Sequence, residues 1–119
     1  MEFKFAKLKQ LNKELKKIVN KGEIMNRYSI LQSERVCYVC GTTQNIHIHE
    51  VFYGRNRQNS IEDGCCVYLC GKDHNLSNVG VHFNHKLDLE LKQQMELCWC
   101  KYYNKTPEDF RKRYYCNYL

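Results

Sequence analysis

A cysteine pair two residues apart, a third cysteine thirty positions on, and histidines spread between and after them restrict how this chain can fold. Cys37-Tyr38-Val39-Cys40 is followed by His47-Ile48-His49-Glu50, then by Leu69-Cys70-Gly71-Lys72-Asp73-His74-Asn75, and then by Gly80-Val81-His82. A CxxC knuckle joined to a downstream cysteine and histidine is how a small domain builds a zinc site. The histidines that remain exceed what a structural ion needs, so the same segment carries material for chemistry.

At 119 residues the chain is sized for one domain with a modest core, which a metal clip would help to stabilise. The eight cysteines do not form a secreted disulfide framework. Cys98-Trp99-Cys100 reads instead as reduced core thiols. The charged start, Met1-Glu2-Phe3-Lys4, does not read as a signal peptide, and no stretch approaches the roughly 20 apolar residues of a membrane span. A soluble cytoplasmic protein without a membrane partner is expected. The formal charge of +6 is concentrated at the front, where residues 1–35 carry nine Lys or Arg against four Glu. Such a segment attracts polyanions, with nucleic acid the usual partner, although a solvated helix face accounts for the same charges.

Leu8, Leu11, Leu15 and Ile18 recur at helical spacing, predicting a basic amphipathic helix from about Phe3 to Asn20 that ends at Lys21-Gly22. Its apolar stripe would pack on the domain or on a partner helix, which leaves the oligomeric state open. Residues 23–36 read as a short helix or a connector. Cys37 to Gly41 forms a knuckle in which the glycine lets backbone amides turn toward sulfur. Residues 45–53 alternate as a strand, with Ile46 and Ile48 on one face and His47 and His49 on the other. Gly54 to Ser60 is polar and basic without an apolar period, and is expected to be a loop. Cys65 to Leu69 is a second short strand that returns the chain to the knuckle. A helix begins near Lys86, with Leu87, Leu91, Met95, Cys98 and Tyr102 along one face and an Asp88–Lys92 pair on another. Thr106-Pro107 then starts a last helix, with threonine as N-cap and proline in the first turn.

Cys37, Cys40 and Cys70 supply three soft ligands for zinc, and the fourth must be Asp73 or His74. Aspartate is the harder ligand; histidine suits the site better but is then spent. His49, His74 and His82 are expected to converge around one divalent cation and an activated water, an arrangement suited to a phosphodiester. His47 and His85 fall outside this pattern and read as ordinary surface or core histidines.

Taken together, Cys-x2-Cys-Gly, His49-Glu50-Val51-Phe52-Tyr53-Gly54, Leu69-Cys70-x2-Asp73-His74-Asn75 and Gly80-Val81-His82 resemble the HNH (His-Me finger) endonucleases. Within them the chain looks most like small phage and prophage proteins related to the recombination-enhancement, RecA-dependent nuclease. The likeness spans residues 36–119, including Leu87-Asp88-Leu89-Glu90-Leu91-Lys92 and the Asn117-Tyr118-Leu119 tail, and leaves residues 1–35 as a basic helical extension.

The resemblance implies an α+β fold: a small zinc-bound, treble-clef-like ββα-metal core with flanking N- and C-terminal helices. It implies metal-dependent cleavage of DNA, with structural Zn²⁺ and catalytic Mg²⁺ or Mn²⁺, in phage recombination or DNA processing, and with a RecA-like recombinase filament as a possible partner. Carried onto this sequence, His49 takes the first position of the strand pair, Glu50 stands where many relatives have the general-base histidine, and Asp73 stands where a Cys or His zinc ligand is common. His74 and His82 fall on the metal-binding histidines. Either Glu50 acts as base or ligand, or His49 is itself the base with metal held by His74, His82 or Glu50. Arg55 and Arg57, between the strands, become candidates for phosphate contact, and Asn59 or Asn75 for the asparagine that orients the strand loop. An inactive zinc-knuckle module that binds DNA or docks on a recombinase is the competing reading.

Overall fold

The structure, a computed structural model, describes residues 27–74, 80–81 and 84–119. The expected N-terminal helix with its Leu8–Ile18 stripe, Asn75 and His82 therefore lie outside the described residues. Within them the fold is α+β: one two-stranded antiparallel sheet with helices packed around it.

Strand β1 (Ile46–Glu50) pairs with β2 (Cys66–Cys70) so that His47 faces Leu69, His49 faces Val67 and Glu50 faces Cys66. Cross-strand partners share a face. His47 and His49 thus lie on the side of Val67 and Leu69, which belong to the hydrophobic core, as the alternation in the sequence predicts. Ile48, Glu50, Cys66 and Tyr68 take the opposite side. Every residue of β2 is buried, because the leading segment covers what would be its free edge. Tyr38 N–H donates to the Tyr68 carbonyl at 2.7 Å, Tyr68 N–H donates to Gln32 Oε1 at 2.8 Å, and Ser29 Oγ donates to the Cys66 carbonyl. An edge capped in this way offers no template for pairing with another chain. Residues 27–36 form no helix, and those assigned by sequence to the N-terminal extension are bonded to the sheet.

The expected polar loop between the strands is instead helical: a 3-10 turn (Gly54–Asn56) leads into helix α1 (Arg57–Asp63). Its inward face is polar. Asn56, Ser60 and Asp63 recur at helical spacing and are buried, each using its side chain for hydrogen bonds, so an apolar period never appears. Gly64 ends the helix at φ +71°, and a Cβ there would lie 2.3 Å from the Tyr28 ring; both the backbone angle and the packing demand glycine.

A single helical turn, α2 (Gly71–His74), follows β2, and helix α3 (His85–Tyr103) adds Leu91, Met95 and Trp99 to the core that contains Val67 and Leu69 of β2. Asn84 caps α3 by accepting from Leu87 N–H at 3.2 Å. Leu91, Met95, Trp99 and Tyr102 form its buried face, with Leu87 and Cys98 half-buried beside them, and Asp88 pairs with Lys92 at 2.7 Å. Helix α4 (Pro107–Tyr114) carries the predicted start in full: Thr106 and Asp109 form a reciprocal capping box with Pro107 in the first turn.

The core is largely aromatic. Phe52 meets Tyr114 at 4.6 Å and Phe110 at 5.2 Å between ring centroids, and Trp99 meets Phe110 edge-on at 5.5 Å. Two buried acids hold the helices to each other. Asp63 accepts from Trp99 Nε1 (2.9 Å), Tyr114 Oη (2.7 Å) and both arms of the Arg113 guanidinium (2.8 and 2.9 Å). Glu96 of α3, fully buried, accepts from Tyr118 N–H and Asn117 Nδ2, tying the tail to the core.

Candidate metal centre and histidine cluster

The knuckle folds as its residues require. Gly41, at φ +78°, turns the chain so that its N–H reaches the Cys37 carbonyl (2.8 Å), while Cys40 N–H points at Cys37 Sγ (3.5 Å). The end of β2 and the first residues of α2 bring Cys70 and Asp73 to the same place. One donor atom from each of Cys37, Cys40, Cys70 and Asp73 lies within 4.8 Å of the others, and these four can hold a metal ion.

The spacings suit zinc. A tetrahedral ion with Zn–S near 2.3 Å separates two sulfurs by about 3.8 Å and a sulfur from a carboxylate oxygen by about 3.5 Å. Cys40 and Cys70 Sγ stand 3.7 Å apart, and Asp73 Oδ2 lies 3.2 Å from both Cys37 and Cys70 Sγ. In the protonated site the two thiols donate to that carboxylate. Burial raises the Asp73 pKa, but the thiols of Cys70, Cys37 and Cys40 outweigh it and hold the carboxyl below its ordinary range. Burial likewise pushes the Cys70 thiol up, to about 11, with the neighbouring Asp73 side chain adding to the rise. Cys37 is opposed by burial yet falls below its ordinary value, because backbone amides of Cys40, Cys70 and Val39 favour its thiolate. Three thiolates and one carboxylate together carry four negative charges, a donor set that favours a divalent cation in place of the protons.

Of the two candidates for the fourth position, Asp73 belongs to this group and His74 does not. His74 turns toward β1, where its Nδ1 lies 2.9 Å from His47 Nδ1 and its ring 5.2 Å from that of His49. Two ring nitrogens at that distance share a proton, so one imidazole donates to the other. His47, read from sequence as ordinary, thus sits inside the cluster; the signal for it was available, since residues i and i+2 of a strand share a face. His85 is exposed at the start of α3. His49 is buried, and Tyr53 flanks it with ring centroids 6.2 Å apart.

The other expected site residues are placed differently. Glu50 lies on the opposite face of β1, ion-paired with Arg27 and accepting from Ser60 Oγ at 3.3 Å. The guanidinium of Arg55 stacks over the Tyr115 ring, 3.7 Å from its centroid, and Arg57 is exposed on α1. Asn59 donates to the Arg113 carbonyl at the end of α4. At Tyr53, which flanks His49, Lys92 Nζ bonds the hydroxyl (3.1 Å) as well as Asp88 (2.7 Å), an arrangement that spacing alone could not show because Tyr53 and Lys92 are 39 positions apart. Bonds from Asp88 and Tyr53 hold the Lys92 ammonium above its ordinary pKa against the opposing effect of burial.

Comparison with protein-family models, with curated proteins and with solved structures finds no match. Among the described residues no helix is long and apolar enough to cross a membrane.

Proposed function

We propose that this protein is a metal-dependent endonuclease that hydrolyses DNA phosphodiester bonds, built on a ββα-metal core of the HNH kind. The observation that carries this reading is the division of labour between neighbours: Asp73 joins the cysteines, which frees His74 to meet His47 and His49. Strand β1 carries His47 and His49 and the turn α2 ends at His74, with helix α1 lying between the two paired strands in chain order, and this histidine placement supports the reading.

In this reading Zn²⁺ bound by Cys37, Cys40, Cys70 and Asp73 is structural and locks α2 to the knuckle. His74, with His47 or His82, would hold a catalytic Mg²⁺ or Mn²⁺, which supplies charge stabilisation for the phosphate and the leaving oxygen. His49 takes a proton from the attacking water, its ring held by burial between β2 and Tyr53. Glu50 has a structural part, since its ion pair with Arg27 holds it on the face of β1 opposite His49. A phage or recombinase setting, and action in the cytoplasm, rest on the resemblance and the composition.

The test is nicking of supercoiled plasmid and of circular single-stranded DNA with Mg²⁺ or Mn²⁺, beside His49→Ala and with zinc assayed on the same preparation. Metal-dependent cleavage that falls at least a hundredfold in the variant is expected. Unchanged cleavage in His49→Ala would remove that residue from the site. Zinc and DNA binding without cleavage, even with a recombinase filament present, would leave a DNA-binding module.

A further inference from the structure

Two tyrosines stand out on the surface, each with a cation on its ring, and one of them, Tyr53, flanks His49. Tyr53 is 45 % exposed and Tyr115 is 60 % exposed. Lys92 Nζ sits 4.3 Å from the Tyr53 centroid and 5.4 Å from that of Tyr118, while Arg55 covers Tyr115. The pairs are neighbours by construction: Arg55 follows Tyr53 by two residues, and Tyr115 precedes Tyr118 by three in the tail anchored on Glu96. Tyr53 also leads directly to the ring of His49.

The backbone at Tyr115 gives an independent reason to attend to this surface. It closes α4 at φ +74°, a left-handed conformation that glycine or asparagine adopts with little cost and an aromatic residue rarely does. A bulky ring held there in solvent adds nothing to the core, and local strain of this kind concentrates at ligand-binding positions.

We propose that Tyr53 and Tyr115, with Lys92 and Arg55, form a stacking platform that binds unpaired bases of single-stranded nucleic acid beside His49. Aromatic faces accept any base, and interleaved cations take the backbone phosphates, which together is how sequence-tolerant single-strand binders work. The bases of an intact duplex are already stacked on each other and cannot use the rings. Lys92 and Arg55 on the two rings supply positive charge that complements the polyanion. This inference rests on the nuclease reading for its placement beside the reacting phosphate, and it narrows the substrate to single strands or to junctions with an unpaired stretch.

The experiment is fluorescence anisotropy of the full-length zinc-loaded protein with a labelled 20-nucleotide single strand, and with the corresponding duplex, in Ca²⁺ to limit turnover. The variant is Tyr115→Asn, which removes the ring and suits the backbone angle, so loss of fold does not confound it; Arg55→Lys keeps the charge and removes the planar stack. Wild-type protein should prefer the single strand, and Tyr115→Asn should cut that preference about tenfold. Equal affinity for both DNAs in the wild type, or an unchanged ratio in Tyr115→Asn, would overturn the platform. Plasmid nicking lost in His49→Ala alongside an unchanged ratio defeats the platform alone. A single-strand preference lost in Tyr115→Asn, with no cleavage of any DNA, defeats the nuclease reading alone.

Discussion

Asp63 and Asp73 are both buried aspartates that gather residues from distant parts of the chain, yet they are satisfied in opposite ways. Asp63 meets a guanidinium fork, an indole N–H and a phenol, so one negative charge faces one positive charge and both carboxylate oxygens accept hydrogen bonds. Asp73 meets the thiols of Cys37 and Cys70, groups that become anions themselves. The first constellation is complete as protein and clamps α1 to α3 and α4. The second is complete only with protons or with a cation, and a divalent ion fits both its charge and its spacings. A buried acid surrounded by other potential anions is the mark of a metal site; one surrounded by cations and hydroxyls is the mark of a structural joint.

Metal removal should break the comparison most strongly. Chelation with a zinc-selective reagent should lower unfolding free energy by several kcal/mol, following the scale on which small zinc sites couple to folding, and zinc should restore it. A denaturation midpoint indifferent to chelator would mean that the cysteine cluster is closed by protons alone. Next in size is Asp63→Ala, which strands the Arg113 fork and the buried donors of Trp99 and Tyr114; about 3 kcal/mol should be lost in urea denaturation, with zinc content unaffected. A loss below about 1 kcal/mol would show that water or rearranged side chains replace the carboxylate. The smallest effect should come from Asp73→Cys, which substitutes a softer ligand at the same corner: zinc should be held more tightly in competition with a chromogenic chelator while thermal stability of the loaded protein changes little. Weaker retention would indicate that the short carboxylate arm is needed for the geometry.

The elements the sequence announced are those built from local rules. Thr106-Pro107-Glu108-Asp109 specifies a helix start within four residues, CxxCG specifies a knuckle, and the 3.6-residue repeat of Leu87, Leu91 and Met95 specifies α3. Helix α1 and the turn before it leave no apolar period in the sequence because their buried positions are Asn56, Ser60 and Asp63, whose burial is made tolerable by hydrogen bonds with Tyr114, Cys65 and Trp99, 5 to 58 positions away. A hydrophobicity pattern cannot report a face that is buried through polar bonds. His47 lies outside the motif, yet its strand phase with His49 puts the two on one face of β1.

What the sequence determined by itself was the set of chemical parts: three cysteines at zinc spacing, histidines alternating on a strand, two arginines between strands, and a basic leading segment. Only the tertiary structure decided their assignments. It gave Asp73 to the cysteines and His74 to the histidines, turned Glu50 away into an ion pair with Arg27, and laid Arg55 on a tyrosine sixty residues further along the chain. Adjacent residues such as Asp73 and His74, or His49 and Glu50, differ in role because a strand or a helical turn points successive side chains in different directions. The partners that meet them there come from segments whose proximity is created by burying the core.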